Sequence, residues 1–582
     1  MDAGRRMRWT VAALAVVVAF GVPLAAGAQT PPGAATGELY TPAPDARDLK
    51  AVLFNWMWHM GMLKGTDERD MVATLEYQGR GTTQVDGQPC RLTRFRASTN
   101  YQTYSQRIQY ACTRAGGQEV SNIEVVSGLY AWDEDVAGAG LGPTGGTATP
   151  MAAAVQERLI RLWASPQGAP KAALAGTTET WWLGANPGTL FADGLDRVGQ
   201  TSVSWDSGRP VVTFPVPGVA GAAAVATLDE QYMTERVVVT QGTTTTEFAY
   251  SDYKDWNNPL NLIEVFYAGR MIERRNGTVV RDLTTEQTET GNVYVIAPVP
   301  ASVRAALRPT GQMPTGVFAK PDVSLDTSSP TPRLANGQPD LTGAWQHTDW
   351  IGNYMGGGGR RCGPTQAEPC NRMVNQTEDF ELYSPSRFGQ LNRPQYKPQY
   401  WDQVIELDMW TKRYDPVMTC QPLGVPRQGP PRRIYQSEND ITFIYFGGDA
   451  GGGYGEYRII PTDGRAHAED AEYDITYLGN TVGRWEGDTL VLDAIGFIDT
   501  TWLGRGGFFH TDRMHVVERF RRQGTTIFYD VTVEDPEVLM EPWVLPTRTL
   551  RLNPSPNGAL IRERGNCETA FETEAAATQI RH

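Results

Sequence analysis

Histidine and cysteine are the scarcest reactive side chains in this sequence, six of each in 582 residues, and the short motifs that announce a reaction are missing. No Gly-x-Ser-x-Gly, His-Glu-x-x-His or Cys-x-x-Cys occurs, which removes the usual sequence grounds for a serine hydrolase, a zincin or a thioredoxin-like enzyme. Past residue 28 no apolar run approaches the roughly 18 residues that cross a bilayer. Basic residues are in deficit, 52 Lys and Arg against 66 Asp and Glu for a net charge of −14. An acidic surface argues against nucleic acid and anionic lipid as partners.

What is present begins with an export signal. Arg5, Arg6 and Arg8 precede an apolar run from Trp9 to Val22, and the small residues Ala26-Gly27-Ala28 precede Gln29. Charge, hydrophobic stretch and cleavage site in that order specify a secretory signal peptide over residues 1–28, cleaved after Ala28. No cysteine follows the cleavage site to take a lipid, so the expected product is a soluble periplasmic or secreted protein. Its charge is −16 once three Arg and one Asp are removed. In an oxidising compartment the six cysteines, Cys90, Cys112, Cys362, Cys370, Cys420 and Cys567, are expected to form disulfides. Two strands joined near Tyr101 would set Cys90 opposite Cys112 and Leu92 opposite Tyr110. Cys362 and Cys370 would close a short loop, and Cys420 with Cys567 would tie the start of one core to its end.

The length calls for more than one core. Residues 308–340 hold Pro309, Pro314, Pro321, Pro330, Pro332 and Pro339 and read as a Pro-rich linker. Before it, residues 40–307 read as a β domain with two helices. One helix spans 49–63, capped by Asp45 or Asp48. The other is opened by Thr149-Pro150, with Val155, Leu159, Leu162 and Trp163 at helical spacing. Strands follow, with a turn at Asn276-Gly277. After the linker, short strands with Gly/Asp turns over 341–574 fit a barrel or sandwich. One hairpin there is explicit: Trp485 ends a strand, Glu486-Gly487-Asp488 turns, and Thr489 begins the return.

The stretch Phe248-Ala249-Tyr250-Ser251-Asp252-Tyr253-Lys254-Asp255-Trp256, followed by Pro259 and a strand, resembles a segment of LolA-type lipoprotein-sorting proteins. That resemblance implies a curved, incomplete antiparallel barrel over helices, with an apolar cavity for acyl chains. The block from Gly483 to Asp493, with His510 to Phe520 and with Asn336 to Trp345, resembles an uncharacterised family of secreted bacterial proteins. Gly343-x-Trp345 also resembles the first strand of lipocalin and streptavidin-type barrels. The fold class expected is therefore mainly β in two domains, a LolA-like curved antiparallel half-barrel with helices and a calycin-like barrel or sandwich.

Candidate chemistry clusters where histidine does. His467, His510 and His515 fall near Asp488, Asp512 and Glu518 in the sequence. For acid–base work His467, His510 or His515 would be the base, and Asp512 or Glu518 the orienting carboxylate or acid. Strand alternation points His515 and Glu518 apart, so a His/His/carboxylate metal site would need His467 to arrive from elsewhere. The plainer reading is that these histidines bond turn backbone and that Glu518 pairs with an arginine inside a barrel. Trp345, Trp350, Tyr354, Trp502, Phe508 and Phe509 are the candidates for contact with a lipophilic or aromatic ligand. No cofactor is implied, and a divalent metal is left open.

Binding of a hydrophobic or amphiphilic small molecule is the leading expectation, with no nucleic-acid partner and no transmembrane segment. The alternative is a hydrolase, lyase or isomerase acting on a lipophilic substrate through a His-based site in the C-terminal domain. Convergence of the three histidines on one cavity would favour the enzyme, and their scatter would favour binding. The ligand, the reaction if any, the disulfide connectivity and the oligomeric state are not fixed by the sequence.

Overall fold

Along Thr234–Gln241 the buried Val237 and Val239 alternate with the more exposed Arg236 and Val238. That period of two marks a strand with one covered face. The computed structural model describes residues 42–62, 72, 74–101, 103–142, 145–177, 200–256, 265–291, 293–307, 325–347, 393–409, 414–416, 421–445, 456–504 and 506–553.

Among them, thirteen strands form one large curved antiparallel sheet. They are β1 (Thr74–Val85), β2 (Gln88–Asn100), β3 (Ser105–Arg114), β4 (Glu119–Ser127), β5 (Tyr130–Glu134), β6 (Ala148–Pro150), β7 (Ser202–Asp206), β8 (Arg209–Pro215), β9 (Ala222–Leu228), β10 (Thr234–Gln241), β11 (Thr244–Ser251), β14 (Arg270–Arg275) and β15 (Thr278–Gly291). Their order is β6-β5-β4-β3-β2-β1-β15-β14-β11-β10-β9-β8-β7, and β12 (Lys254–Asp255) with β13 (Phe266–Tyr267) makes a separate ribbon. The turn joining β14 to β15 is at Asn276-Gly277, both with positive φ.

Three helices cover one face of this sheet: α1 (Leu49–His59), α2 (Val155–Trp163) and α3 (Gly168–Ala175). Asp48 caps α1 by accepting the amide of Ala51 at 3.0 Å. The helix ends at His59, four residues before the expected limit, and Gly61 follows with a φ of 71°. Thr149 and Pro150 do not open α2; they belong to β6, an edge strand where proline's missing N–H costs no ladder bond, and a 3-10 turn over Ala152–Ala154 leads into the helix. Trp56 of α1 and Trp163 of α2 are fully buried, and the Trp56 indole donates to Thr234 Oγ1 at 2.9 Å. The helix over α3 was not read from the sequence.

Cys90 and Cys112 are bonded, with Cα atoms 5.5 Å apart. Their register differs from the expected one: Cys90 faces Arg114 and Leu92 faces Cys112, because the strands turn past Tyr101, pairing Asn100 with Ser105, and a bulge between Leu92 and Arg94 takes back only one residue of that shift. Cys362, Cys370, Cys420 and Cys567 lie outside the described residues.

Nine further strands form a second, nearly closed, barrel-shaped sheet: β16 (Gly343–His347), β17 (Arg433–Gln436), β18 (Asp440–Ile444), β19 (Tyr457–Pro461), β20 (Asn480–Glu486), β21 (Thr489–Ile495), β24 (His515–Gln523), β25 (Thr526–Glu534) and β26 (Trp543–Leu552). The order is β19-β18-β17-β16-β26-β25-β24-β21-β20, and β22 (Trp502–Gly504) pairs separately with β23 (Phe508–Phe509). Its core includes Trp345, Ile434, Phe443, Leu490, Leu492, Phe520 and Tyr529. Of the stretch read as a linker, residues 325–340 run beside this sheet: Asp326 accepts the Thr525 amide, and Arg333 grips Asp488 at the β20–β21 turn at 2.6 and 2.8 Å.

The two sheets belong to one compact unit. Helix α5 follows β16 in the chain and α4 (Ala301–Ala306) precedes it; α5 spans Trp401–Met409, and its Trp401 lies under the Arg107 guanidinium of β3 at 4.5 Å. Arg96 of β2 reaches Asp402 at 2.8 Å. Among the described residues no helix is long and apolar enough to cross a membrane.

Candidate functional site

The two edges of the second sheet, β19 and β20, come together without a shared ladder, since β19 pairs only with β18 and β20 only with β21. At one end the edges touch, the Gly464 amide donating to the Gly483 carbonyl at 3.1 Å. Beyond that contact lies a cleft of about 650 Å³. Its walls are the strand edges Glu456–Pro461 and Gly479–Val482, with Pro422, the 465–468 turn, Ala471 and residues 476–478. Tyr457 and Ile459 stand 63% and 65% exposed beside it, a large apolar exposure for an edge strand.

Side chains close the barrel where backbone does not. Arg458 of β19 projects inward and is buried. Its Nη1 lies 3.5 Å from Thr481 Oγ1 of β20 and 2.6 Å from Glu518 Oε2 of β24. Nη2 donates to Glu518 Oε1 at 3.0 Å, and Nε donates to Tyr445 Oη at 2.7 Å. Tyr529 completes the group by donating to Glu518 Oε1 at 2.8 Å. Burial alone would lower the arginine's pKa, but the Glu518 carboxylate outweighs it and holds the value above the ordinary one. Glu518 is thus the barrel partner of an arginine and stands apart from the histidines, as the alternation along β24 requires.

The histidines divide. His467, in the turn after β19, lines the cleft, and its Nε2 meets Asp493 Oδ1 of β21 at 2.9 Å. His515 of β24 meets the same oxygen through its own Nε2 at 3.2 Å, and its Nδ1 meets Glu534 Oε2 of β25 at 3.3 Å. The strand register sets Asp493 diagonal to His515 and His515 opposite Glu534, all on the sheet's outer face. Burial would raise the Asp493 pKa, but the contacts from His467 and His515 hold it below the usual carboxylate value. An ionised Asp493 requires His467 to donate through Nε2–H, which leaves Nδ1 as the ring's other nitrogen. That atom is buried with no hydrogen-bond partner, so it is not open to a substrate proton. Among the described residues no three His, Cys, Asp or Glu side chains are arranged to hold a metal ion.

His510 is elsewhere and buried. Its Nδ1 contacts the Thr511 carbonyl at 2.9 Å, which can only accept, so Nδ1 carries the proton and Nε2 accepts from Thr501 Oγ1 at 2.7 Å. Both nitrogens are spent, and burial pushes its pKa below the ordinary imidazole value. The expected base is here a structural residue. Asp512 is exposed, with Arg513 at 3.9 Å its nearest charged contact, and it orients no histidine.

The aromatic candidates are placed as core. Trp345 is buried under Arg522, at 5.2 Å, and its indole donates to the Leu341 carbonyl at 2.9 Å. Trp502 and Phe508 are buried, and Phe509 stacks on Tyr396 at 5.1 Å between centroids. None of these four lines the cleft. Trp350 and Tyr354 lie outside the described residues. Sequence reasoning missed Asp493, whose only signal was an acidic residue alternating with Leu490 and Leu492 in the return strand. It also missed the cleft itself, because which edges meet is decided by strand order.

No protein-family model and no curated protein matches the chain. Among solved structures, a LolA superfamily protein from Nitrosomonas europaea is similar, with 8% identity and a TM-score of 0.22 over 43% of this chain and 96% of that one.

Proposed function

We propose that this protein binds a hydrophobic or amphiphilic small molecule in the cleft between β19 and β20. One observation carries the reading: among the described residues the break between the β19 and β20 edges of the second sheet opens into a space of about 650 Å³ whose walls include Tyr457, Ile459, Ile460, Pro461 and Leu478. That volume falls in the ordinary range for small-molecule sites, roughly 300–1,000 Å³. A disulfide and a secretory signal would put this binding in a periplasmic or extracellular setting. The hydrolase, lyase or isomerase alternative is less favoured, since only His467 of the three histidines lines the cleft.

The test is titration of the full mature chain with N-phenyl-1-naphthylamine, an uncharged apolar fluorophore. Saturable binding at one site is expected, weakened by Ile459→Arg, a substitution at an exposed position that leaves the core alone. Fluorescence that never saturates, or that ignores the substitution, would sink the reading.

A further inference from the structure

The charges around the cleft say what kind of head group it can accept. Among the described residues, each arginine on its wall already has a carboxylate in place, and so does the one histidine. Arg458 is held by Glu518 at 2.6 and 3.0 Å. Arg465 is clipped by Asp463 through Nε at 2.9 Å and Nη2 at 2.6 Å. His467 is held by Asp493 at 2.9 Å. The one carboxylate among the described wall residues is Glu456, which accepts from the Gln428 amide at 3.3 Å. The acidic residues Glu469, Asp470, Glu472 and Asp474 are exposed and do not line the cleft.

We propose that the ligand of this cleft is an amphiphile with an uncharged head, one that offers hydroxyl, ester or amide groups beside an apolar tail. The proposal rests on the binding reading above and narrows it. A carboxylate or phosphate head would find each arginine of the described wall already shared, Arg465 with Asp463 and Arg458 with Glu518; desolvating a weakly compensated ion is costly. To recruit Arg458, such a head would have to displace Glu518 from a buried pair, stranding one charge of the pair in the barrel. A cationic head finds no carboxylate on the wall other than Glu456, whose position is shared with the Gln428 amide. Hydroxyl and amide heads meet matching chemistry in Thr476, Asn480 and Thr481 on the wall, while Ile459, Ile460 and Leu478 suit the tail.

The experiment holds the tail constant and changes only the head. Monodecanoylglycerol, decanoate and decyltrimethylammonium are titrated into the full mature chain by calorimetry, each below its micellar concentration. Monodecanoylglycerol is expected to bind at least about tenfold tighter than either ion. In Ile459→Arg, which adds an unpaired cation at the cleft, decanoate should gain and monodecanoylglycerol should lose affinity, each by several-fold. Decanoate or decyltrimethylammonium binding as tightly as the neutral compound, with sensitivity to Ile459→Arg, would overturn the head-group inference and leave the binding site standing. No saturable binding of any of the three, or binding indifferent to Ile459→Arg, would remove the site and the inference together.

Discussion

The two sheets solve the same problem differently. Each must cover one apolar face. The first does so with helices, burying Trp56 and Trp163 of α1 and α2 against its strands. The second curls upon itself, so that Phe443, Leu490 and Phe520 from separate strands meet in one core. A helix-covered sheet can be open at both ends without consequence for its core. A self-covering sheet must bring its first and last strands together, and here that junction is made by one guanidinium that links β19 to β20 and β24, with one backbone bond from Gly464 to Gly483 at the end. The polar group deep inside the second sheet is the cost of closing it without a ladder, and the cleft is the space the missing ladder leaves.

The largest way to break this contrast is to strand the arginine. Glu518→Ala should lose about 3–5 kcal/mol in urea unfolding, whereas Arg458→Met with Glu518→Leu should recover most of it, because a buried pair replaced whole costs far less than one halved. A loss below about 1 kcal/mol for the single substitution would show that the pair does not close the barrel. In the first sheet the corresponding fastener is covalent. Replacing Cys90 and Cys112 by Ala should cost about 2–4 kcal/mol, and hydrogen exchange should then rise along β2 and β3 while β19 and β20 stay as they were.

Acid should weaken the second sheet through His510. Its folded pKa lies below the ordinary value of 6.5. As pH falls through 6.5 the unfolded chain takes up a proton that the folded chain refuses, so stability is lost from there down to the folded pKa and is unaffected above. The slope from this one group is at most about 1.4 kcal/mol per pH unit. His510→Gln should flatten the stability profile just below pH 6.5, by at most one proton; an unchanged slope would contradict the assignment. The smallest effect is expected at the surface. His467→Ala removes a partly exposed contact to Asp493 and should change stability by under about 1 kcal/mol, while altering binding of an uncharged amphiphile several-fold in calorimetry.

Local features of the fold were legible wherever one residue type dictates a backbone. Asp48 before an apolar helix and Asn276-Gly277 between strands are such cases. Thr149-Pro150 misled because a cap-and-proline pair suits a helix start and an edge strand equally well, and pairing with β5 decided for the strand. The Cys90 register slipped because the turn lies past Tyr101, between Asn100 and Ser105, and nothing in an alternating pattern marks a turn's centre. The opposite faces of His515 and Glu518 could be read from period two alone. What joins His467 to His515 could not, since the two meet through Asp493 across three separate elements.

A barrel closed by a complete ladder offers no first strand to a pulling force; every strand is gripped on both sides and must be sheared. This one has two margins without a ladder, β19 and β20, fastened among the described residues by one side chain at mid-length and one backbone bond, Gly464 to Gly483, at the end. Once those two clasps let go, the second sheet can be unzipped from either margin, one ladder at a time, like cloth with an unhemmed edge.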